Sequence, residues 1–184
     1  SLHCVKDFGS FQNFRSLFFK HSFAPFVEFV PFVIYNTSMK TSLTPISPHG
    51  HCYVCGDVNP HGIGLTWYAR EDGSIFTEVK LVLKQQGPDG YIHGGASAAI
   101  LDEIIGVAIW RKGYNVAVVN LDIQFRQAIP VGATVTVEAR LTEENGRKIC
   151  GTGEIRLPDG SVAVSGKGIY VEAPHLFEES RYRD

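Results

Sequence analysis

Short apolar segments alternate with glycine-containing turns over most of the chain from residue 64 onward. The segments are rich in Val, Ile and Thr, which is typical of β-strands. Asp-Gly or Asn-Gly pairs end at Gly73, Gly146 and Gly160, and such pairs favour tight hairpins because they tolerate positive φ. The pattern predicts six strands, over residues 65–70, 75–83, 116–126, 134–141, 147–157 and 161–171.

One helix is predicted between the second and third strands, over residues 96–110, where proline is absent and Ala, Leu and Ile dominate. Its apolar residues lie nearly all round the helix, which indicates burial on every side. No further helices are available for crossovers, so the strands should pair antiparallel. We therefore expect an α+β domain in which an antiparallel sheet of about five to six strands wraps round one long central helix.

Asp102 and Glu103 are adjacent carboxylates within this otherwise apolar helix. Neighbouring helical side chains project about 100° apart, so at least one of the two faces protein. A carboxylate held against protein is a candidate for acid or base chemistry. The alternative is a simple ion pair of Asp102 with Arg111, Lys112 or Arg126.

The residues that lead into the helix form a second candidate site. Gly94 and Gly95 stand where backbone N–H groups lack intrahelical acceptors and the helix dipole is positive. A substrate carbonyl can approach glycine closely, and His93 can orient the loop or donate a hydrogen bond. The alternative is a glycine-rich turn in which Ser97 is only the N-cap of the helix.

The two candidate sites are too far apart to act together within one chain. Asp102 follows His93 by nine residues, which at 1.5 Å per residue separates them by roughly 13 Å. A two-fold dimer with antiparallel neighbouring helices would bring Asp102 of one chain opposite the Gly94 region of the other. We therefore expect a homodimer if both groups act on one substrate.

The charge balance excludes some classes of function. Seventeen Lys and Arg against nineteen Asp and Glu give a net charge of −2, which offers no basic excess for nucleic acid or an anionic membrane surface. Four cysteines are too few and too scattered for a disulfide scaffold in a chain of 184 residues. We expect a cytoplasmic protein with no nucleic-acid or membrane partner.

The first part of the chain lacks this regular pattern. Nine of the twelve phenylalanines precede residue 33, without helical or strand periodicity, and prolines interrupt the most apolar stretch. That stretch is too short to span a bilayer and does not resemble a secretion signal. Met39 is the only methionine, so we expect translation to begin there; the alternative is a genuine aromatic arm.

We accordingly divide the chain into four parts. Residues 1–38 are an N-terminal arm, native or upstream, and residues 39–63 are a lead-in segment containing Cys-x-x-Cys. Residues 64–173 are the folded domain, and residues 174–184 are a C-terminal tail.

Three motifs resemble those of a known family. They are Gln-Gly-Pro-Asp-Gly-Tyr-Ile-His-Gly-Gly at 86–95, Leu-Asp-Glu at 101–103, and Cys-Tyr-Val-Cys-Gly-Asp-Val-Asn-Pro-His-Gly-Ile-Gly-Leu at 52–65. Together they resemble the hotdog-fold thioesterases of the phenylacetic-acid (PaaI-like) type, which hydrolyse acyl-CoA. The resemblance covers residues 52–171 or thereabouts.

The resemblance implies roles for individual residues. The Gly94 amide, supported by His93 and Gly95, would polarise the thioester carbonyl, and Asp102 matches the catalytic carboxylate. That carboxylate acts as general base or as nucleophile, and Glu103 is the second candidate because related enzymes use Glu. The resemblance also implies that the site needs no metal or cofactor and that the protein is a homodimer or a homotetramer.

Substrate binding is assigned to residues around these motifs: Gln86, Tyr91, Asn120, Arg126 and Lys167. The two basic residues are candidate partners for the phosphates of coenzyme A.

One position departs from the family pattern. Many relatives carry Ser or Thr two residues before Asn120, whereas this chain has Val118. Without that hydroxyl, Asn120 or Asn115 takes over the positioning of water, or turnover is slow. The alternative function is therefore a hotdog protein that binds acyl-CoA or an aromatic ligand without hydrolysing it.

The lead-in segment contains metal-ligating residue types: His49, His51, Cys52, Cys55 and His61. The Cys-x-x-Cys spacing suits zinc, but a second cysteine pair is absent. The same motif occurs in the family without an obligatory metal, as the resemblance implies. We therefore expect no metal here; the alternative is a zinc site that includes Cys52 and Cys55.

Overall fold

The computed structural model describes residues 43–177. Over that range the chain forms one α-helix, six β-strands and two short 3-10 helices, at Leu83–Gln85 and Pro174–Leu176. The α-helix, α1, runs from Gly94 to Trp110. The strands are β1 Tyr68–Ala69, β2 Ile75–Lys80, β3 Val116–Phe125, β4 Thr134–Asn145, β5 Lys148–Arg156 and β6 Val162–Glu172.

The six strands form one antiparallel sheet in the order β1-β2-β4-β5-β6-β3. Helix α1 packs against every strand from β2 to β6. Most of its side chains are buried, including Leu101, Ile104 and Ile105 at 0% exposure. The predicted α+β architecture, with one central apolar helix against an antiparallel sheet, is confirmed.

Glycines on β5 allow the sheet to approach the helix closely. A Cβ atom at Gly151 would lie 2.5 Å from the Ile105 side chain, and one at Gly153 would lie 3.1 Å from Leu101. Carbon atoms in contact need about 3.5–4.0 Å, so larger residues would force the helix outward. The two glycines therefore allow α1 to pack close to the sheet.

Several predicted boundaries were wrong by a few residues. The first strand, predicted over 65–70, has only two residues in ladder geometry, and the second ends at Lys80 rather than at 83. The chain turns there because the Val82 N–H donates to the Gln85 side chain, which starts the 3-10 helix. Helix α1 begins at Gly94 rather than at 96, and β4 continues to Asn145, into the predicted turn.

The described part of the lead-in segment packs onto the domain. The Ile46 N–H donates to the Trp67 carbonyl at 2.8 Å, and the Leu65 N–H donates to the Val54 carbonyl at 2.9 Å. These four side chains are all buried. The segment from residue 43 therefore shares the core of the domain, while the predicted N-terminal arm and the last seven residues of the tail lie outside the described range.

Helix α1 is 17 residues long and carries two carboxylates. Between residues 43 and 177, no helix has the length and hydropathy needed to cross a bilayer.

Candidate active site

His93 is the N-cap of helix α1. Its backbone is extended, with φ −65° and ψ 133°, and its Nδ1 accepts a hydrogen bond from the Gly95 N–H at 2.8 Å. The His93 N–H donates to the Gln85 carbonyl at 2.7 Å, which ties the loop to the preceding 3-10 helix. The alternative in which Ser97 is the N-cap is therefore wrong, since Ser97 is buried inside the helix.

The Gly94 N–H belongs to the first residue of the helix, where no intrahelical acceptor exists. Within residues 43–177 the structure gives this N–H no hydrogen-bond acceptor. The adjacent amide of Gly95 is used by His93, so Gly94 supplies the free donor at the positive end of the helix dipole.

Phe125, the last residue of β3, packs over the same point. A Cβ atom at Gly94 would lie 3.3 Å from Phe125 Cε1, and the ring is 58% exposed. Sequence reasoning did not single out Phe125, because a lone aromatic residue at a strand end carries no motif. The ring gives the free amide an apolar neighbour.

Asp102 lies in the middle of helix α1 and contacts Tyr170 of β6. The Tyr170 hydroxyl is 3.0 Å from Asp102 Oδ1 and 2.9 Å from the Asp102 carbonyl oxygen, and it donates its one proton between them. Asp102 has no ion pair within the described range, so the predicted alternative of pairing with Arg111, Lys112 or Arg126 is not found there.

The position of the Tyr170 ring depends on Gly168, two residues earlier on the same face of β6. A Cβ atom at Gly168 would lie 2.4 Å from Tyr170 Cε2, which no side chain tolerates. Tyr170 also stands directly opposite Val118 in the register of β3 and β6. Tyr170 was not singled out by sequence reasoning, because an aromatic residue on a strand carries no motif.

Burial is the main influence on both groups. Removal from water raises the pKa of the Asp102 carboxyl, and the hydrogen bond from Tyr170 opposes that rise. Burial, together with the nearby Asp102 charge, raises the pKa of the Tyr170 hydroxyl, which therefore stays protonated and remains a donor. Asp102 is thus a half-buried carboxylate held by one neutral donor.

Glu103 points to a different group of residues. Its Oε1 lies 3.1 Å from His49 Nδ1 and accepts a hydrogen bond from Cys55 Sγ at 3.0 Å. Cys55 Sγ is also 3.4 Å from His49 Nδ1, and Cys52 Sγ completes the group. Asp102 and Glu103 are adjacent on α1, but their carboxylates therefore contact different groups of residues.

The protonation of this group is set by its internal hydrogen bonds. Those to Cys52 and Glu103 raise the pKa of His49 to about 9, so the imidazole is cationic at neutral pH. The hydrogen bond from Cys55 holds the pKa of the Cys52 thiol well below its usual range, while the pKa of Cys55 is raised. His51 and His61, the other histidines of the predicted cluster, are exposed and lie outside it.

The predicted substrate-binding residues fall in two places. Gln86 and Tyr91 lie in the loop before α1, where Gln86 Oε1 accepts from the Gly90 N–H at 3.3 Å and Tyr91 is 46% exposed. The other three are exposed and lie along the β3–β6 edge of the sheet or just after β3: Asn120, Arg126 and Lys167.

The Gly94 amide and the Asp102 carboxylate are separated along the helix. The two residues are eight positions apart, which corresponds to roughly 12 Å of helix axis. The structure thus places the first group at the N-terminus of α1 and the second in its middle, as the sequence predicted.

Part of the chain is similar to known proteins. Residues 89–164 match the family described as the thioesterase superfamily. The chain is 31% identical over 93 residues to acyl-coenzyme A thioesterase THEM4 of Xenopus laevis, a match that covers 50% of this chain and 39% of that protein. It is 33% identical over 95 residues to THEM4 of Mus musculus, covering 52% of this chain and 38% of that protein. The match therefore spans about two fifths of the length of these relatives.

Solved structures agree with this assignment. The crystal structure of a thioesterase superfamily protein matches with a TM-score of 0.65 and 34% identity, covering 67% of this chain and 61% of that chain. The PaaI protein of E. coli, from the phenylacetic acid degradation operon, has a TM-score of 0.52 at 16% identity, over 55% of this chain and 73% of that chain. These matches confirm the predicted resemblance to hotdog-fold thioesterases and the predicted hotdog fold.

Proposed function

We propose that the chain hydrolyses acyl-CoA thioesters to a carboxylic acid and free coenzyme A, because residues 89–164 match the thioesterase superfamily and the fold is a hotdog fold. The observation that carries the proposal is the free Gly94 N–H at the start of a buried helix, in a chain that also holds a half-buried carboxylate at Asp102. Names of the curated relatives support the choice of substrate, because THEM4 is described as an acyl-coenzyme A thioesterase.

The Gly94 N–H is the donor for the oxyanion. When a thioester carbonyl becomes tetrahedral, negative charge collects on its oxygen, and a preorganised N–H at a helix N-terminus stabilises that charge. His93 acts as a positioning residue, because its ring holds the Gly95 amide and leaves that of Gly94 free.

Asp102 activates the attack on the carbonyl carbon. As general base it removes a proton from water while the water oxygen bonds to carbon; as nucleophile it forms an anhydride that water then cleaves. In both routes the C–S bond breaks and the thiolate of coenzyme A leaves. Asp102 is preferred over Glu103 because Glu103 is occupied by His49 and Cys55.

A homodimer assembles the complete site. The roughly 12 Å between Gly94 and Asp102 along one helix requires that the two act from different subunits. Within residues 43–177, strand β3 is an edge of the sheet that pairs with β6 alone, and three of its apolar residues are exposed: Val118, Val119 and Phe125. An exposed apolar edge of ten residues favours pairing with a second copy. A homotetramer, which the family resemblance implies, is the expected higher assembly.

Substrate recognition is assigned to the residues around these groups. Arg126 follows Phe125 directly, and Lys167 lies opposite Asp122 at the same sheet edge, where exposed cations suit the phosphates of coenzyme A. Tyr91, Gln86 and Asn120 complete the proposed surface. We place the reaction in the cytoplasm, as the cysteine usage predicts.

The direct test is release of free thiol from short, long and aromatic acyl-CoA esters by the full chain and by Asp102→Asn. We expect turnover by the parent and a loss of about 10²–10⁴-fold in kcat for the variant, the usual contribution of a base. Asp159→Asn is the matched control, because Asp159 is an exposed carboxylate in the β5–β6 turn and the change should leave kcat as it is. Full activity in Asp102→Asn would refute the role of Asp102.

A second function, binding of acyl-CoA without hydrolysis, is favoured by one observation, the absence of a hydroxyl at Val118. It predicts calorimetric binding of a CoA ester that stays intact on prolonged incubation. Release of free thiol from that ester would exclude it.

A further inference from the structure

Four side chains with different metal-ligating atoms meet on one side of helix α1. His49, Cys52 and Cys55 come from the lead-in segment and Glu103 from the helix, and their ligating atoms all lie within 4.8 Å of one another. Three of the separations are 3.0, 3.1 and 3.4 Å. Tetrahedral zinc with bonds of about 2.0–2.3 Å needs ligand atoms about 3.3–3.8 Å apart. We propose that this group is a structural zinc site.

The loop that carries the two thiols is built to hold them together. The Gly56 N–H donates to the Cys52 carbonyl at 3.0 Å, and the Val54 N–H donates to Cys52 Sγ at 3.4 Å. A Cβ atom at Gly56 would lie 2.2 Å from the Gly50 carbonyl oxygen, so this tight turn requires glycine. Amide donors to a thiolate are the outer-shell contacts that orient a metal ligand.

The ligand types select zinc over the harder cations. Two sulfurs and an imidazole are poor ligands for Mg²⁺ and Ca²⁺, which take oxygen, whereas they suit zinc, with the carboxylate as the fourth ligand. Cys52 binds as a thiolate, while the Cys55 thiol and the His49 imidazolium each lose a proton to solvent on binding, and no oxidation is involved. Because all four positions come from protein, the site is closed and its role is structural.

The site would fasten the lead-in segment to the helix that carries Asp102. His49 also contacts the Trp110 ring edge-on, with 5.6 Å between ring centroids. Trp110 is the last residue of α1. Cys55 is only 2% exposed, which protects that thiol from solvent. The proposed zinc site is independent of the proposed hydrolysis, because none of its four ligands is assigned a catalytic role in that reaction.

The test uses the full chain purified with reductant and without chelator. We expect elemental analysis to give one zinc per chain, and replacement by Co²⁺ to give the intense visible bands of a tetrahedral site with a thiolate charge-transfer band. His49→Ala should lose the metal. His51→Ala is the matched control, because His51 is an exposed histidine two residues away in the same loop and should retain it.

Glu103→Gln tests the fourth ligand without removing side-chain volume. We expect it to weaken metal retention against a chelator at least tenfold and to change the cobalt spectrum. Three results would overturn the proposal: no zinc or cobalt bound by the parent, equal retention by His49→Ala and His51→Ala, or a Cys52–Cys55 disulfide as the native form by mass spectrometry. Thiol release from acyl-CoA, measured on the same samples, tests the proposed hydrolysis separately.

Discussion

Tyr170 and Asp102 are 68 positions apart in the chain, yet their side chains form the central contact of the candidate site. Asp102 was predictable because a carboxylate in an apolar helix is conspicuous and its Leu-Asp-Glu motif resembles that of a family. Tyr170 was not, because an aromatic residue in a strand is ordinarily a core residue. Its place in the site is shown by the fold, in which its hydroxyl reaches Asp102 on α1.

The Tyr170 hydroxyl should act on catalysis through Asp102. Tyr170→Phe keeps the ring in place and removes one hydrogen bond, which is worth about 1 kcal/mol. We expect kcat to fall about fivefold with little change in KM, because the carboxylate loses its orientation while the binding surface is untouched. Steady-state kinetics of the variant check this; a raised KM at constant kcat would place Tyr170 in substrate binding instead.

At the scale of elements, the glycines indicated where helix α1 begins to within two residues. They did not indicate which residue is its first or which side chain caps it. The helix begins two residues earlier than expected because the His93 side chain, rather than Ser97, caps it. Sequence rules favour Ser at an N-cap, and a histidine ring that accepts from the chain two residues on is outside those rules. The role of Glu103 was missed for a related reason, since its partners come from a loop 48 and 54 residues away.

A proline at position 94 would remove the free Gly94 N–H with little change in backbone conformation. Proline is well accommodated at the first position of a helix, and the extended His93 is compatible with a following proline. We expect Gly94→Pro to lower kcat by about 10²–10³, the usual cost of losing one oxyanion donor.

Gly94→Ala is the matched control for this change. It introduces the same Cβ atom near Phe125 but keeps the N–H, so it should lose far less activity. Comparison of kcat for the two variants separates the donor from the crowding. Equal losses would show that contact with the Phe125 ring, rather than the amide, controls turnover.

At the scale of the whole molecule, the turn signals predicted the antiparallel sheet, and the apolar residues all round the helix predicted its burial. The sequence did not predict which edge of the sheet is long enough to pair with a second subunit. Strand β1, at one edge, has only two residues, while β3, at the other, has ten. Long exposed edges are rare in monomers because they invite pairing, so β3 is the expected dimer contact.

A charge on β3 should therefore separate the subunits. Val119 is 58% exposed, and Val119→Lys should give a monomer by light scattering with loss of thiol release. Val58→Lys is the matched control, since Val58 is 54% exposed in the lead-in segment. A Val119→Lys variant that stays dimeric and active would rule out this edge as the interface.

In the proposed dimer, each site takes its amide from one subunit and its carboxylate from the other. Mixing Asp102→Asn with Gly94→Pro after subunit exchange tests it most directly, because each mixed dimer then holds one site with both native groups. Random pairing makes half of the dimers mixed, so about a quarter of the parent thiol release should return from two nearly inactive proteins. Verified exchange with no recovery of activity would contradict the shared site.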